Sequence, residues 1–243
     1  MPSRLARVAC LGVLLAAGVT GARAGDLADF NAAAETVSAH NRVAIGYLRT
    51  GNTDLASLEI DRLRAAWSTL AKRFAGKRPD AFDGDALYGV AFTDIPTRLV
   101  TADMMLNSNR PQAARQALLA VRDDLYNLRR SAGIVVLADC VRDANQAMDA
   151  LMAYNKRELD WSAPETRFDI AAKAAIYGHA VARCDAMASE KVRKDAEFRR
   201  MVDGVKASLT LMPTVIATRD AGLLHRILIE LRAFDNLLAF RFG

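Results

Sequence analysis

The stretch IPTRLVTAD, residues 95–103, recurs as MPTVIATRD at residues 212–220. Pro, Thr, Thr and Asp stand at the same offsets in both copies, and most of the positions between them are apolar. An internal repeat of this kind indicates that one structural unit is present twice. A proline inside a helix removes a backbone hydrogen bond and bends the chain, so we predict equivalent kinks at Pro96 and Pro213.

Apolar residues recur at steps of three and four along most of the chain, which is the spacing of one helix face. Gly and Pro are scarce, and no alternating strand pattern is present. Turn signals divide each copy into four helices, and Gly133 separates the copies. Because short turns favour antiparallel neighbours, we predict an all-α fold of two tandem, duplicated up-down four-helix units, residues 25–132 and 133–243. The alternative is an α-hairpin solenoid, although a steady period of about 34 residues is missing.

Residues 1–24 have the pattern of a secretory signal peptide. Two arginines precede a short apolar run at residues 8–19, and small residues at positions 22 and 24 form a cleavage site. The apolar run is too short to span a membrane, and no later segment approaches the required length of about 18 residues. We therefore expect a mature chain that begins at Gly25, has no membrane span and is periplasmic or secreted. The alternative is a retained anchor.

The formal charge of the mature chain is nearly balanced. The full sequence carries +5, and its first 24 residues contribute three arginines and no acid, which leaves about +2. Basic and acidic residues alternate along the predicted helices, as they do on solvated helix faces. A chain with so little net charge has no overall field to attract nucleic acid, so we exclude that class of partner.

Two cysteines remain after cleavage, Cys140 and Cys184, and an exported chain meets oxidising conditions. The fifth and sixth predicted helices form a hairpin whose turn centres near Ser162, and each cysteine lies 22 residues from that point. Since each helical residue rises by about 1.5 Å, the two cysteines reach the same height on facing helices. We predict a disulfide between Cys140 and Cys184, the alternative being two buried thiols.

The closing segments of the two halves read YNLRR at residues 126–130 and LRAFDNLLAFR at residues 231–241. With the helix order, they resemble cytochrome c′ and its relatives, which are exported four-helix bundles of about this repeat length. The resemblance implies a haem attached near the end of the last helix. Both segments lack the Cys-x-x-Cys-His motif that attaches such a haem, so no ligand is carried over and covalent haem is excluded.

Two histidines are candidate metal ligands. His40 lies in the apolar stripe of the first predicted helix, and His179 shares a helix face with Phe168 and several alanines. An inward histidine can ligate a transition metal or a non-covalent b-type haem, with a methionine opposite. The candidate methionines are Met104, Met105, Met148 and Met152. The alternative is a core or boundary histidine held by hydrogen bonds.

Two further features have structural explanations. Asp235 lies close to the apolar face of the last predicted helix, where we expect an ion pair with Arg232 or Arg241 rather than a catalytic acid. Each repeated proline is followed by a pair of threonines one turn apart. We expect their hydroxyls to satisfy the carbonyls that the prolines free.

No arrangement of residues typical of a catalytic site is present in the sequence. We therefore expect a non-enzymatic periplasmic binding or interaction protein, without a cofactor, whose partner is an unknown protein or small ligand. The alternative is a carrier of a transition metal or b-type haem that uses His40 or His179.

Overall fold

The computed structural model describes residues 21–156 and 158–243, and every regular element within these two ranges is helical. The all-α fold class is thereby confirmed. The α-helices are α1 (Gly21–Thr50), α2 (Thr53–Phe74), α3 (Ala86–Asn107), α4 (Pro111–Ser131), α5 (Leu137–Met152), α6 (Pro164–Met187), α7 (Glu190–Arg193), α8 (Ala196–Leu209), α9 (Met212–Thr218) and α10 (Ala221–Phe242). Among these helices, none combines the length and the apolar character that crossing a bilayer requires. The first twenty residues of the predicted signal peptide lie outside the described ranges.

The buried apolar side chains form two cores. One is built from α1, α2, α3 and α4, and the other from α5, α6, α8, α9 and α10. We call these two groups of helices the first unit and the second unit. In the second unit the third of the four predicted helices is divided into α8 and α9, and the single turn α7 precedes it. The units meet where α1 contacts α10 and where α4 leads into α5.

Aspartate side chains fix the starts of three helices. Asp85 accepts a hydrogen bond from the backbone N–H of Leu87 at 2.8 Å, and Asp220 accepts one from Leu223 at 2.8 Å. Asp195 accepts from the two N–H groups at the start of α8, at 3.0 and 2.9 Å. These bonds satisfy backbone donors that have no partner within the helix, so each aspartate determines where its helix begins.

Pro96 and Pro213 occupy unlike positions, so the prediction of equivalent kinks is wrong. Pro96 lies in the interior of α3, which is helical on both sides of it, whereas Pro213 is the second residue of α9. If α8 continued through Pro213, that residue would have to donate to the carbonyl of Leu209. Proline cannot donate, and α8 ends at Leu209, so the proline in the second unit marks a break between two helices.

The threonine hydroxyls near these prolines form a different set of hydrogen bonds from the one expected. The carbonyls that the prolines free belong to Phe92 and Leu209, four residues before each proline. Thr97, Thr101 and Thr218 each donate instead to the carbonyl four residues before themselves, at 3.1, 2.9 and 2.8 Å. The expected role for the repeated threonines is therefore wrong.

The two units correspond in a register that their buried positions define. Asp85 and Asp195, which begin α3 and α8, are 110 positions apart. The same offset relates buried residues of α4 and α10, in the pairs Ala114–Leu224, Leu118–Leu228, Val121–Leu231, Leu125–Asp235 and Leu128–Leu238. An offset of 114 relates α2 and α6, in the pairs Ala56–Ile170, Ile60–Ala174, Leu63–Tyr177, Trp67–Val181, Leu70–Cys184 and Phe74–Ala188. The sequence repeat has an offset of 117 residues, which differs from both offsets of the buried positions. The duplication itself stays a prediction.

Candidate anion site between the two units

A cavity of about 50 Å³ lies where the first unit meets the second. Helices α1 and α4 form one wall, and α5 and α10 form the other. The lining residues are Arg42, Ile45, Gly46, Arg49, Arg115, Leu119, Arg122, Val141, Arg142, Asn145, Asn236, Ala239, Phe240 and Gly243. Because both units contribute, a ligand held here would bridge them.

Two contacts hold these walls together. Arg129 of α4 donates from Nε to both carboxylate oxygens of Asp139 in α5 at 3.0 Å, and both side chains are buried. Elsewhere the ring of Phe240 packs directly on Gly46 of α1, where an added Cβ would clash with the ring. The close approach of α10 to α1 therefore depends on glycine at position 46.

Five of the described lining residues are arginines, and none is Asp or Glu, although the main-chain oxygen of Gly243 in the lining accepts a hydrogen bond from Arg42 at 3.3 Å. Arg42 and Arg49 are seven positions apart on α1, and Arg115 and Arg122 are seven apart on α4, which places each pair on one helix face. Arg142 of α5 completes the set. Like charges in a partly enclosed space raise one another's free energy, so an anion that entered the cavity would be stabilised.

Two of the five arginines have close carboxylate partners. Arg42 pairs with Glu35 at 2.8 Å. Arg142 pairs with Asp123 at 2.8 Å, and its guanidinium carbon lies 3.9 Å from the centre of the Tyr126 ring. These contacts fix the orientation of the two side chains and neutralise part of the charge.

The other three arginines lack such partners among the described residues. Arg49 and Arg115 form no ion pair, and the Nε of Arg122 lies 3.9 Å from Asp123 without a hydrogen bond to it. The Nε atoms of Arg115 and Arg122 are both buried, and neither has a hydrogen-bond partner. Buried donors are nearly always bonded, and leaving one unbonded costs about 1–3 kcal/mol. Both residues line the cavity, so each brings to its wall a guanidinium with one unsatisfied donor.

The protonation equilibria of this cluster reflect the same imbalance. Burial lowers the pKa of the Arg122 guanidinium, and Arg142 and Arg115 add repulsion that Asp123 opposes. Burial is also the first cause of the lowered pKa of Arg49, the most exposed of the five, and Arg115 adds to the effect. The shift of Arg122 arises because its charged form has lost water without gaining an equivalent carboxylate.

Asp235 is fully buried and in contact with the cavity wall. Its Oδ2 accepts hydrogen bonds from the lining residue Asn145 at 2.7 Å and from Arg232 at 3.1 Å. The predicted ion pair with Arg232 is confirmed, and Arg241 pairs instead with Glu197. Burial raises the pKa of Asp235 to about 6, because Asn145 and Arg232 replace only part of the lost hydration.

The two histidines predicted as metal ligands lie in different units. The Nδ1 of His40 is 2.8 Å from the Glu59 carboxylate, and His179 is exposed on α6. Within the described ranges, no three His, Cys, Asp or Glu side chains are grouped so that they could hold a metal ion. The structure thus places one histidine in a hydrogen bond and the other at the surface, and neither lines the cavity.

Cys140 of α5 and Cys184 of α6 lie at disulfide-bonding distance, with Cα atoms 5.4 Å apart. Both side chains are buried in the core of the second unit. The predicted register of the α5–α6 hairpin is therefore confirmed. Val141, the next residue after Cys140, lines the cavity, so the cysteine pair lies directly beside the α5 wall.

Comparisons of the chain with protein-family models, with curated proteins and with solved structures gave no match. The resemblance to cytochrome c′ therefore stays a prediction. Any function has to be inferred from the chemistry of the residues themselves.

The arginine cluster is the feature that reasoning from the sequence missed. The alternation of charges predicts solvated helix faces, and that prediction is wrong for Arg115 and Arg122, whose Nε atoms are buried. The seven-residue spacings on α1 and α4 were an available signal. They do not show that these two faces turn toward α5 and α10, since that depends on how the units pack.

Proposed function

We propose that the protein is a non-enzymatic periplasmic binding protein that holds a small oxyanion in the cavity between its two units. The main support is the pair of buried Nε atoms of Arg115 and Arg122, which have no hydrogen-bond partner. An oxyanion would accept hydrogen bonds from both and would offset the repulsion among the five guanidiniums. The predicted signal peptide and the Cys140–Cys184 pair support an exported location.

The size of the cavity favours a small group. A volume of about 50 Å³ is room for one or two water molecules, at the roughly 30 Å³ that each occupies in the liquid. A phosphate, a sulfate or the carboxylate of a small organic acid is of this order, whereas a porphyrin is far larger. We therefore place the anion alone, or the anionic end of a larger ligand, in the cavity.

The choice of arginine rather than lysine also favours an oxyanion. A guanidinium is a planar fork whose parallel N–H groups match two oxygens of a carboxylate or phosphate. Arginines on α1, α4 and α5 surround the cavity, so an anion with several oxygens can be bound from more than one side. Chloride has no such geometry and should bind less well than phosphate.

Isothermal titration of the mature protein with phosphate, sulfate and acetate at low ionic strength tests the proposal. We expect saturable binding of at least one of these oxyanions. Arg115→Met should weaken it at least tenfold, because it removes a charge and a donor while keeping much of the apolar stem. Arg200→Met, an exposed change of equal charge on α8, is the matched control and should leave binding unchanged. No saturable binding, or equal losses in the two variants, would contradict the proposal.

The alternative prediction, a carrier of a transition metal or b-type haem through His40 or His179, is tested by different measurements. Metal analysis and the absorbance spectrum of protein purified from periplasm would show stoichiometric metal or a Soret band if it were right. His40→Ala or His179→Ala should then abolish the signal. Arg115→Met should not affect it, which separates the two functions.

A further inference from the structure

A second, larger hollow lies on the outer side of the second unit. It is a groove of about 540 Å³ between α6 and the α8–α9 segment, and all its described lining residues are apolar. Ala171, Ala175 and Gly178 form one side, and Pro213 and Ile216 lie on the other. This volume is within the range of about 300–1,000 Å³ that is usual for small-molecule sites.

The corresponding place in the first unit carries charged side chains. In the register of the buried positions, three residues of the groove correspond to charged residues of α2 and α3. The pairs are Asp61–Ala175, Arg64–Gly178 and Asp103–Pro213. Arg64 lies 3.6 Å from Asp61 and 3.7 Å from Asp103, so it bridges the two helices. The groove therefore lies where the second unit has small, uncharged residues on α6 and where its third helix is divided into α8 and α9.

The two ends of the groove differ in charge. Helices α6 and α8 run antiparallel, since Asp185 contacts Lys206 at 2.9 Å and Gly178 lies against Leu209. Beyond the Gly178 end of the groove, Asp185 forms ion pairs with both Lys206 and Arg199, so the positive charges there have a carboxylate partner.

The opposite end carries unpaired positive charge. Arg167 lies one turn before Ala171 on α6, and Arg219 is the exposed residue directly after the end of α9. Neither arginine forms an ion pair with any described residue. Phe168, with 74% of its surface exposed, adds an apolar ring at this end of α6. The groove is therefore apolar along its length, and two arginines without an ion pair among the described residues lie toward one end of it.

We propose that this groove binds a fatty acid, with the hydrocarbon chain along α6 and the carboxylate at Arg167 and Arg219. The eleven residues from Arg167 to Gly178 span about 16 Å of helix, which suits a medium to long acyl chain. Burial of the methylenes against the apolar lining stabilises the bound chain, and the two guanidiniums supply the charge complementarity for the carboxylate. This site is separate from the cavity between the units and does not depend on the function proposed for it.

Titration of the mature protein with dodecanoate, below the concentration at which it forms micelles, tests the inference. We expect saturable binding of one dodecanoate per chain, and weaker binding of dodecyltrimethylammonium, which has the same chain and the opposite charge. Ala175→Trp fills the groove and should weaken dodecanoate binding at least tenfold. Ala172→Trp, an exposed position on α6 that does not line the groove, should leave binding unchanged. Arg167→Gln with Arg219→Gln should weaken dodecanoate binding and not that of the cationic amphiphile.

Several results would overturn the inference. They are the absence of saturable binding, equal affinities of the two tryptophan variants, and a preference for the cationic amphiphile. Sedimentation measurements could give a further contrary result. If the wild-type protein is a dimer and Ala175→Trp dissociates it, the groove is an interface between two copies. Circular dichroism and thermal melting establish that the variants fold. If Ala175→Trp does not fold, the double arginine variant decides between a fatty-acid site and none.

Discussion

The two units stabilise corresponding ends of their helices in different ways. In the first unit Phe30 lies against the rings of Phe74, Phe82 and Tyr88, with ring centres 5.3, 5.0 and 6.0 Å apart. In the second unit Ala188 takes the position that corresponds to Phe74. Cys184 lies one helical turn before Ala188 and takes the position that corresponds to Leu70, and it is paired there with Cys140. The second unit keeps one ring pair at this end, Phe198 and Phe242 with ring centres 5.1 Å apart, and has the cysteine pair beside it where the first unit has a larger cluster of rings.

The largest effect is expected in the aromatic cluster. Phe74→Ala removes a fully buried ring and leaves a cavity, which should cost about 3–5 kcal/mol of unfolding free energy. Urea unfolding at neutral pH measures it. Phe168→Ala in the second unit removes an exposed ring and should change the same quantity by less than about 0.5 kcal/mol. A loss below about 1 kcal/mol for Phe74→Ala would mean that the cluster does not support the first unit.

The cross-link should contribute nearly as much to the second unit. By the chain-entropy model, closing a loop with a sequence separation of 44 is worth about 4 kcal/mol, and measured values often fall nearer 2. Cys184→Ser, Cys140→Ser and the double variant should each lose this contribution, because each breaks the same bond, and the double variant adds only the cost of a second buried hydroxyl. Intact mass with and without reductant shows whether the bond is present. Two thiols that label without reductant in the denatured protein would contradict it.

A third difference between the units is Asp235, which stands where the first unit has Leu125. Burial raises the pKa of Asp235 to about 6, above the value of about 3.9 in an unfolded chain. Between these values the folded protein binds more protons than the unfolded one, so this group lowers stability as pH rises from about 4 to about 6. A difference of two pKa units corresponds to about 3 kcal/mol.

Asp235→Asn removes this titration while keeping a polar side chain of the same shape. The difference in unfolding free energy between the variant and wild type should therefore favour the variant more at pH 7 than at pH 4, by up to about 3 kcal/mol. Urea unfolding of both proteins at the two pH values measures the difference. Leu125→Ala is the control in the first unit, and its cost should be the same at both pH values. An equal effect of Asp235→Asn at pH 4 and pH 7 would show that this carboxyl group titrates normally.

The smallest effect concerns one buried tyrosine in each unit. The hydroxyl of Tyr88 donates to the carbonyl oxygen of Phe74 at 2.8 Å, whereas the hydroxyl of Tyr177 is buried without a partner. Tyr88→Phe should cost about 1 kcal/mol, because it removes a hydrogen bond and leaves a buried carbonyl. Tyr177→Phe should be neutral or stabilising. Thermal melting of the two variants, each of which lacks one oxygen of the wild type, measures both effects. A larger loss for Tyr177→Phe than for Tyr88→Phe would contradict the prediction.

The part of the fold that local periodicity determines could be predicted from the sequence. The spacing of apolar residues indicates helices wherever it persists, and the constant rise of a helix is enough to bring Cys140 opposite Cys184. The sequence repeat did not predict the places of Pro96 and Pro213 correctly. It rests on four identical residues, whereas a larger number of buried positions defines the structural register. A short match in sequence is a weaker guide than a full set of core positions.

The candidate site could not be predicted in the same way. Whether Arg115 is solvated, paired or buried without a partner depends on helices far from it in sequence. Charge alternation along α4 carries no information about the packing of α4 against the second unit. The sequence showed the arginine spacing, and only the packing of the two units showed that these arginines surround a cavity.

The most direct test of the central claim, an oxyanion site between the units, is a crystal structure of the mature protein with selenate in place of phosphate. The anomalous signal of selenium locates the anion independently of the rest of the density. We predict a peak in the cavity, with selenate oxygens within hydrogen-bond distance of the Nε atoms of Arg115 and Arg122, that disappears when phosphate is added in excess. No anomalous peak in the cavity, or peaks only at exposed arginines and lysines, would contradict the account.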